Sequence, residues 1–267
     1  MSAAHEHNRR AWDKLVRDRQ AFTRPARDAE FSDPLSIVDG CNWLGGDIRG
    51  KQLLCLAAGG GRQSALYAAA GAVVTVVDIS PAMLELDRQV AAEREFQIRA
   101  IEASMDDMPM LRAGEFDIVI QPVSTCYVPK IEPVYREVAR VMRPGGLYIS
   151  QHKTPTNMAA DLQSSPRGYE LIEPYYRSGP LPTPATASRL RETGTIEFLH
   201  RWEEILGLMC RAGFVIEDLM EPCHAEPQAE PGSFGHRCRY IAPYVRIKAR
   251  RIGGVAAAPA VSRLVLP

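Results

Sequence analysis

Apolar positions along the chain change period in a regular way between Leu53 and Ser150, where short apolar runs alternate with amphipathic stretches. That alternation predicts a parallel sheet with helices on both faces. Leu53 to Ala57 is an apolar run entering three glycines, and Arg62 to Ala70 reads as the helix that follows. Val73 to Asp78 is a β-branched buried strand. Pro81 to Arg94 is a helix opened by Ser80 as N-cap and by Pro81 at its first position. Ile98 to Ala103 and Phe116 to Gln121 supply a third and a fourth strand, Ile131 to Met142 the next helix, and Leu147 to His152 a fifth strand after the Pro-Gly-Gly turn at 144–146.

The flanks have another character. Glu6 to Phe22 has the spacing of an amphipathic helix, followed by a Pro/Asp-rich connection and a second short helix near Leu35 to Leu44. From Thr154 the chain is rich in Pro, Ser and Thr and too long for a simple connection, which suggests a lid or binding loop. Phe198 to Ala212 reads as a helix ending at Gly213, with strands at Phe214 to Leu219 and Arg239 to Lys248. The expected division is a helical cap at 1–50, a core at 51–153, a lid at 154–197, a completion of the sheet at 198–252 and a tail at 253–267. No internal repeat is visible.

Of the 267 residues, 46% are hydrophobic and 24% charged, a composition that excludes a wholly disordered, collagen-like or coiled-coil chain. Thirty-two basic residues balance thirty-two acidic ones, so no global field draws the chain to nucleic acid or an anionic membrane. No apolar run reaches the roughly 18 residues of a membrane span. The start, MSAAHEHNRR, has no apolar signal core, so a cytoplasmic location is expected. The six cysteines form no C-x-x-C pair, which fits reduced thiols better than a disulfide frame or zinc, and no metal site is expected. Arg246, Lys248, Arg250 and Arg251 read as a solvated strand edge that discourages sheet pairing, with no aromatic platform for RNA beside them.

The segment LLCLAAGGGRQSALYAAAGAVVTVVDIS, 53–80, carries the chemistry. Glycines at a strand-to-helix turn let backbone approach a ligand where a Cβ would collide. Asp78, 19 residues beyond Gly59, sits where an acidic side chain can accept two ribose hydroxyl protons. Such a crevice binds a nucleoside. A dinucleotide site would usually show G-x-G-x-x-G, and its third glycine is here Ser64.

Four motifs in order resemble those of class I S-adenosylmethionine-dependent methyltransferases, over about residues 5–250 and most strongly over 53–152. LCLAAGGG stands in the place of that family's h-L-D-h-G-x-G-x-G, and VVDISPAML in that of its V-x-G-x-D-x-S-x-x-M-L. FDIVIQPVSTCYVP matches its FD-h-h segment, and EVARVMRPGGLYIS its L-x-x-h-x-R-h-L-K-P-G-G-x-h. The resemblance implies a Rossmann-like α/β fold: a seven-stranded, mostly parallel sheet in a three-layer αβα sandwich, with N-terminal helices and a lid after strand five. It implies S-adenosylmethionine as cofactor and a small-molecule methyl acceptor, modified at oxygen or nitrogen by in-line displacement. Ala57, Gly59 and Gly61 would line the methionine part, Asp78 would take the ribose hydroxyls, and Ile79 and Met83 would cover the adenine. Ser104 and the Met105 backbone would read the adenine edge, with Asp106 in reserve, and Gln121 and Pro122 would pass the sulfonium.

Two positions depart from the pattern: Cys55 replaces an acid and Ala57 a glycine. They leave open a binding module without catalysis, and a nicotinamide-dependent oxidoreductase on the same kind of crevice is a further alternative. The candidate catalytic residues are Tyr127 after strand four and His152 after strand five, since ligands bind outside the carboxyl ends of such strands. His200, His224, His236, Tyr175, Tyr176 and Trp12 are further candidates for contact with ligand, each with packing as the plainer role.

Overall fold

The computed structural model describes residues 2–184, 188 and 190–253; the tail expected from 253 onward therefore lies, after its first residue, outside the described residues. In chain order the elements are α1 (Ala3–Arg17), α2 (Pro34–Val38), β1 (Gln52–Leu56), α3 (Gln63–Ala69), β2 (Val73–Asp78), α4 (Pro81–Glu93), β3 (Ile98–Glu102) and β4 (Phe116–Gln121). They continue with α5 (Glu132–Val141), β5 (Met142–Lys153), α6 (Pro155–Ala159), α7 (Leu208–Arg211), β6 (Phe214–Met220), α8 (Phe234–Arg237) and β7 (Tyr244–Arg251).

The seven strands form one sheet in the order β3-β2-β1-β4-β5-β7-β6. Pairings from β3 across to β5 are parallel, and β7 runs antiparallel to both neighbours. This is the mostly parallel α/β sandwich expected from the sequence. Alternate residues of each strand point to opposite faces. Leu54 and Leu56 therefore join Val119, Tyr135, Val138 and Tyr148 in one core layer. Leu53 and Cys55 join Tyr67, Val74, Val76 and Ile120 in the other. Strand order reverses between β1 and β4, which opens a crevice at their carboxyl ends.

Several boundaries differ from the sequence expectation for local reasons. Helix α1 starts earlier, because the Ser2 hydroxyl accepts the His5 N–H and the His5 ring accepts the Ser2 N–H. It stops at Arg17, and Arg19 turns into the left-handed region at φ 53°. The second helix ends at Val38 instead of running to Leu44, because the Asp39 carboxylate accepts the Trp43 and Leu44 N–H groups at 2.8 and 2.9 Å. The Pro-Gly-Gly turn sits inside β5 as an irregularity: Met142 pairs with Phe116, and Leu147 with Ile118.

The late helix begins at Trp202, not Phe198, and its first turn, Glu203–Gly207, is a π-helix. Phe198 lies outside the helix, its N–H donating to the Cys126 carbonyl at 2.7 Å. The last strand starts at Tyr244, after α8, rather than at Arg239. Its basic residues do not form a sheet edge: β7 lies between β5 and β6, and Lys248 and Arg250 pair with Glu217 of β6. β6 is the edge.

Candidate active site

Beyond β1 the chain turns sharply. Ala57, in the place of a family glycine, adopts φ 49°, so the left-handed turn is kept at the steric cost a Cβ imposes there. Gly59 is the close-approach position, since a Cβ there would lie 2.8 Å from Met83 Cβ and 3.0 Å from Asp78 Oδ2. Asp78, at the end of β2, accepts the Gly59 N–H on Oδ2 and the Ser80 N–H on Oδ1, both at 2.9 Å. Burial pushes its pKa up, against the pull of those backbone donors. Asp87 of α4 holds the loop from behind: it accepts the Gly60 and Gly61 N–H groups at 2.9 and 3.1 Å and the Ser64 hydroxyl. Burial raises its pKa to about 6.

These groups border a cavity of about 570 Å³ over the carboxyl ends of β1, β2 and β4. It lies within the roughly 300–1,000 Å³ range of small-molecule sites. Of the residues singled out in the sequence, Ala57, Gly59, Asp78, Ile79, Met83, Ser104, Met105, Pro122 and Tyr127 line it together, as do Trp12 and His224. Ser104 donates to Asp106 Oδ1 at 2.5 Å, and Asp106 Oδ2 lies 3.3 Å from His5 Nε2. Gly61 is not among the lining residues; a Cβ on it would meet the Leu86 carbonyl at 2.8 Å, so it fits the loop onto α4. Gln121 is also set back, accepting from the Tyr148 hydroxyl and donating to Ser124 Oγ at 2.9 Å.

His152 is fully buried and outside the cavity lining. Its Nδ1 lies 2.8 Å from Thr125 Oγ1, its Nε2 2.8 Å from Ser150 Oγ, and Tyr135 packs edge-on at 6.3 Å. Burial lowers its pKa from 6.5 to about 3. An unfolded histidine takes its proton near 6.5, so between those values the unfolded chain binds more protons. The contribution to stability is complete above pH 6.5 and falls as pH drops toward 3, by on the order of 5 kcal/mol in total. Urea midpoints from pH 7.5 down to 4.5 are expected to fall less steeply in His152→Gln than in the parent; equal slopes would contradict this.

His200 donates from Nε2 toward the Thr125 and Val128 carbonyls, 3.0 Å each. His236 lies 2.9 Å from the Tyr169 hydroxyl, away from the cavity, and Tyr175 and Tyr176 are exposed. Burial pushes the Cys55 and Cys126 thiols up, so both stay protonated.

Sequence reasoning missed the far half of the cavity, lined by Gln151, Glu192, Tyr244 and Arg246. Tyr127 donates to Glu192 Oε2 at 2.6 Å. Lys153, 1% exposed, lies 2.7 Å from Glu192 and 2.5 Å from Glu197, and Arg191 also pairs with Glu197. A helical cap at 1–50 is expected from the sequence, but the two side chains that anchor it are not. Asn8 of α1 donates to the Tyr127 and Ile196 carbonyls at 3.0 and 2.9 Å, and Asp13 accepts from Ser80 Oγ at 2.6 Å. Asp87 had a readable signal, a carboxylate on the same helix face as buried Met83, Leu84 and Val90. Among the described residues no group of three or more His, Cys, Asp or Glu is placed to hold a metal ion. None of their helices is long and apolar enough to cross a membrane.

A family model described as a methyltransferase domain matches residues 54–150, the strands and turns that build this crevice. A Bacillus subtilis (strain 168) protein, "Uncharacterized methyltransferase YbaJ", is 30% identical over 235 residues, covering 83% of this chain and 91% of that protein. Among solved structures, an S-adenosylmethionine-dependent methyltransferase from Mesorhizobium loti superposes with TM-score 0.63 at 23% identity, over 77% of this chain and 93% of that one. A geranyl diphosphate C-methyltransferase from Streptomyces coelicolor A3(2) gives 0.62 at 16%, over 94% and 99%. At those identities the two structures speak for the fold. The chain belongs to the class I S-adenosylmethionine-dependent methyltransferases. As a member it is an enzyme whose methyl donor is S-adenosylmethionine, which replaces the nicotinamide alternative.

Proposed function

We propose that the chain methylates an oxygen or nitrogen of a small molecule bound in the far half of the cavity, beside Tyr127 and Glu192. The reading rests on one observation: a single cavity runs from the Asp78 carboxylate under the glycine loop to the Tyr127–Glu192 pair. The residues fit the donor, because the bare Gly59 backbone leaves room that a Cβ would fill and Asp78 lies at the adjoining strand end. Cys55 is wholly buried and Ala57 keeps the turn, so neither departure from the family motif speaks for a module without catalysis.

In this reading Ala57 and Gly59 hold the amino-acid part of the donor, with Gly61 setting the turn from behind. Asp78 accepts from the ribose hydroxyls, Ile79 and Met83 cover the base, and Ser104 and the Met105 N–H read its edge. Pro122 borders the sulfonium, with Gln121 positioning Ser124 behind it. When bound, the donor supplies a methyl group on a sulfonium, transferred by in-line displacement. Such chemistry needs alignment and exclusion of water more than strong acids or bases. Burial and the neighbouring Glu192 hold the Tyr127 phenol far above its ordinary pKa, so it stays protonated. Its oxygen can accept an acceptor proton while its own proton moves to Glu192 Oε2, 2.6 Å away. We assign His152 a packing role, and residues 154–197 the role of a lid that brings Glu192 to the site.

Calorimetry of the full chain with S-adenosylhomocysteine tests the donor half. Once an acceptor panel yields turnover, Tyr127→Phe is expected to lower kcat about 10- to 100-fold with unchanged S-adenosylhomocysteine affinity. Full activity in that variant would remove Tyr127 from the mechanism.

A further inference from the structure

We infer that the acceptor is an anionic compound, its carboxylate or phosphate group held by Arg246, and its nucleophile turned toward Tyr127; the inference rests on the methyl-transfer reading above.

Antiparallel pairing of β5 with β7 places Arg246 opposite Gln151 and Tyr244 opposite Lys153. Because residues two apart share a face, these two cross-strand pairs stand side by side. Gln151, Tyr244 and Arg246 all line the cavity. The Arg246 guanidinium is half-buried and held in place by neutral partners: Nε donates to Gln151 Oε1 at 2.8 Å, and Nη1 points to Cys41 Sγ at 3.6 Å. Among the described residues no carboxylate lies within 4.0 Å of it, whereas Lys248 and Arg250 on the same strand both reach Glu217.

The charges facing this half of the cavity leave that cation unbalanced. Glu192 and Glu197 are matched by Lys153 and Arg191, and Tyr127 donates to Glu192, so the cluster carries no net charge. Of the other arginines lining the cavity, Arg24 and Arg62 belong to the glycine-loop end, where Arg62 pairs with Glu30 at 2.6 Å. Desolvating a guanidinium without a counter-ion is unfavourable, and a planar fork of N–H donors matches an oxyanion in two-point contact. A protonated amine entering this end would meet net positive charge; an anionic hydroxy compound would relieve it.

The test uses the full chain saturated with S-adenosylhomocysteine and calorimetric titration of matched probes: 4-hydroxybenzoate, 4-hydroxyphenylacetate and 3-(4-hydroxyphenyl)propanoate, each against its primary amide, and 4-hydroxyphenyl phosphate against phenol. At least one anion is expected to bind about ten-fold or more tightly than its neutral partner, and the arm that does so separates carboxylate from phosphate. Arg246→Gln is expected to bring that anion to the affinity of its neutral partner, and Arg246→Lys to keep part of the preference, with S-adenosylhomocysteine affinity within about two-fold of the parent for both. Amides binding as well as acids, no anion binding at about 10 mM, or an unchanged preference in Arg246→Gln would each overturn the inference. So would loss of S-adenosylhomocysteine affinity in both folded variants, which would give Arg246 to the donor's own carboxylate. Failure of the parent chain to bind S-adenosylhomocysteine would instead remove the underlying methyl-transfer reading.

Discussion

Asp78→Ala is expected to weaken S-adenosylhomocysteine binding by about 100-fold or more, the largest effect on affinity of any single substitution at the site. Two charge-assisted hydrogen bonds to a ribose, each worth about 1.5–3 kcal/mol, account for roughly that loss. The carboxylate also ties Gly59 and Ser80 together through their N–H groups, so its removal loosens the loop that faces the ligand. Asp78→Asn keeps the shape and one acceptor oxygen and is expected to fall between the two. Calorimetry gives the affinities and circular dichroism the state of folding. A folded Asp78→Ala chain within about three-fold of the parent would take the ribose away from this carboxylate.

The largest effect on stability is expected from Lys153→Met. Lys153 is the central cation of a buried cluster, between Glu192 and Glu197 and 5.7 Å from the Tyr127 ring centroid. Without it Glu197 keeps Arg191, and Glu192 is left to the Tyr127 hydroxyl. Breaking a buried pair by deleting one partner costs about 3–5 kcal/mol, because the charge left behind stays desolvated. In a chain of this size that lowers the thermal midpoint by about 10 °C. Lys153→Met combined with Glu192→Gln is expected to be milder than the sum of the two single changes, since Arg191 and Glu197 remain matched. Additive losses, or a single-variant loss under about 1 kcal/mol, would show that the cluster does not act as a unit.

The parallel half of the molecule was legible because its signals are local. Leu53–Asp78 contains a strand, a turn, a helix and a strand whose periods and caps stand in one stretch of sequence, and the loop residues follow from them. The antiparallel half depends on contacts distant in sequence. YVRIKARR alternates as any half-covered strand does, and only Glu217 across the pairing shows that its basic face is shared rather than free. The π-helical turn after Trp202 and the anchoring of Phe198 to Cys126 are likewise features that no helical periodicity in 198–212 reports.

His152 shows how narrow the margin is. Position at the carboxyl end of a strand selects residues near a ligand, but side chains alternate across the sheet. Gln151 lines the cavity and Lys153 anchors the cluster beside it, while His152 between them turns to Tyr135 and the opposite core layer. One step of register exchanges a candidate base for a packing residue. Glu192 carried no local signal, because its role comes from a segment that folds back onto Tyr127 from 65 positions away.

Helix α1 touches both compartments through two side chains of one short rod, Asn8 and Asp13. Asp13 grips the start of α4 beside the glycine turn, and Asn8 grips Tyr127 and the strand of chain at Ile196. A rigid rod pinned at two points cannot rise from one without straining the other. Lifting α1 would therefore break the contacts at the glycine turn and those at Tyr127 together.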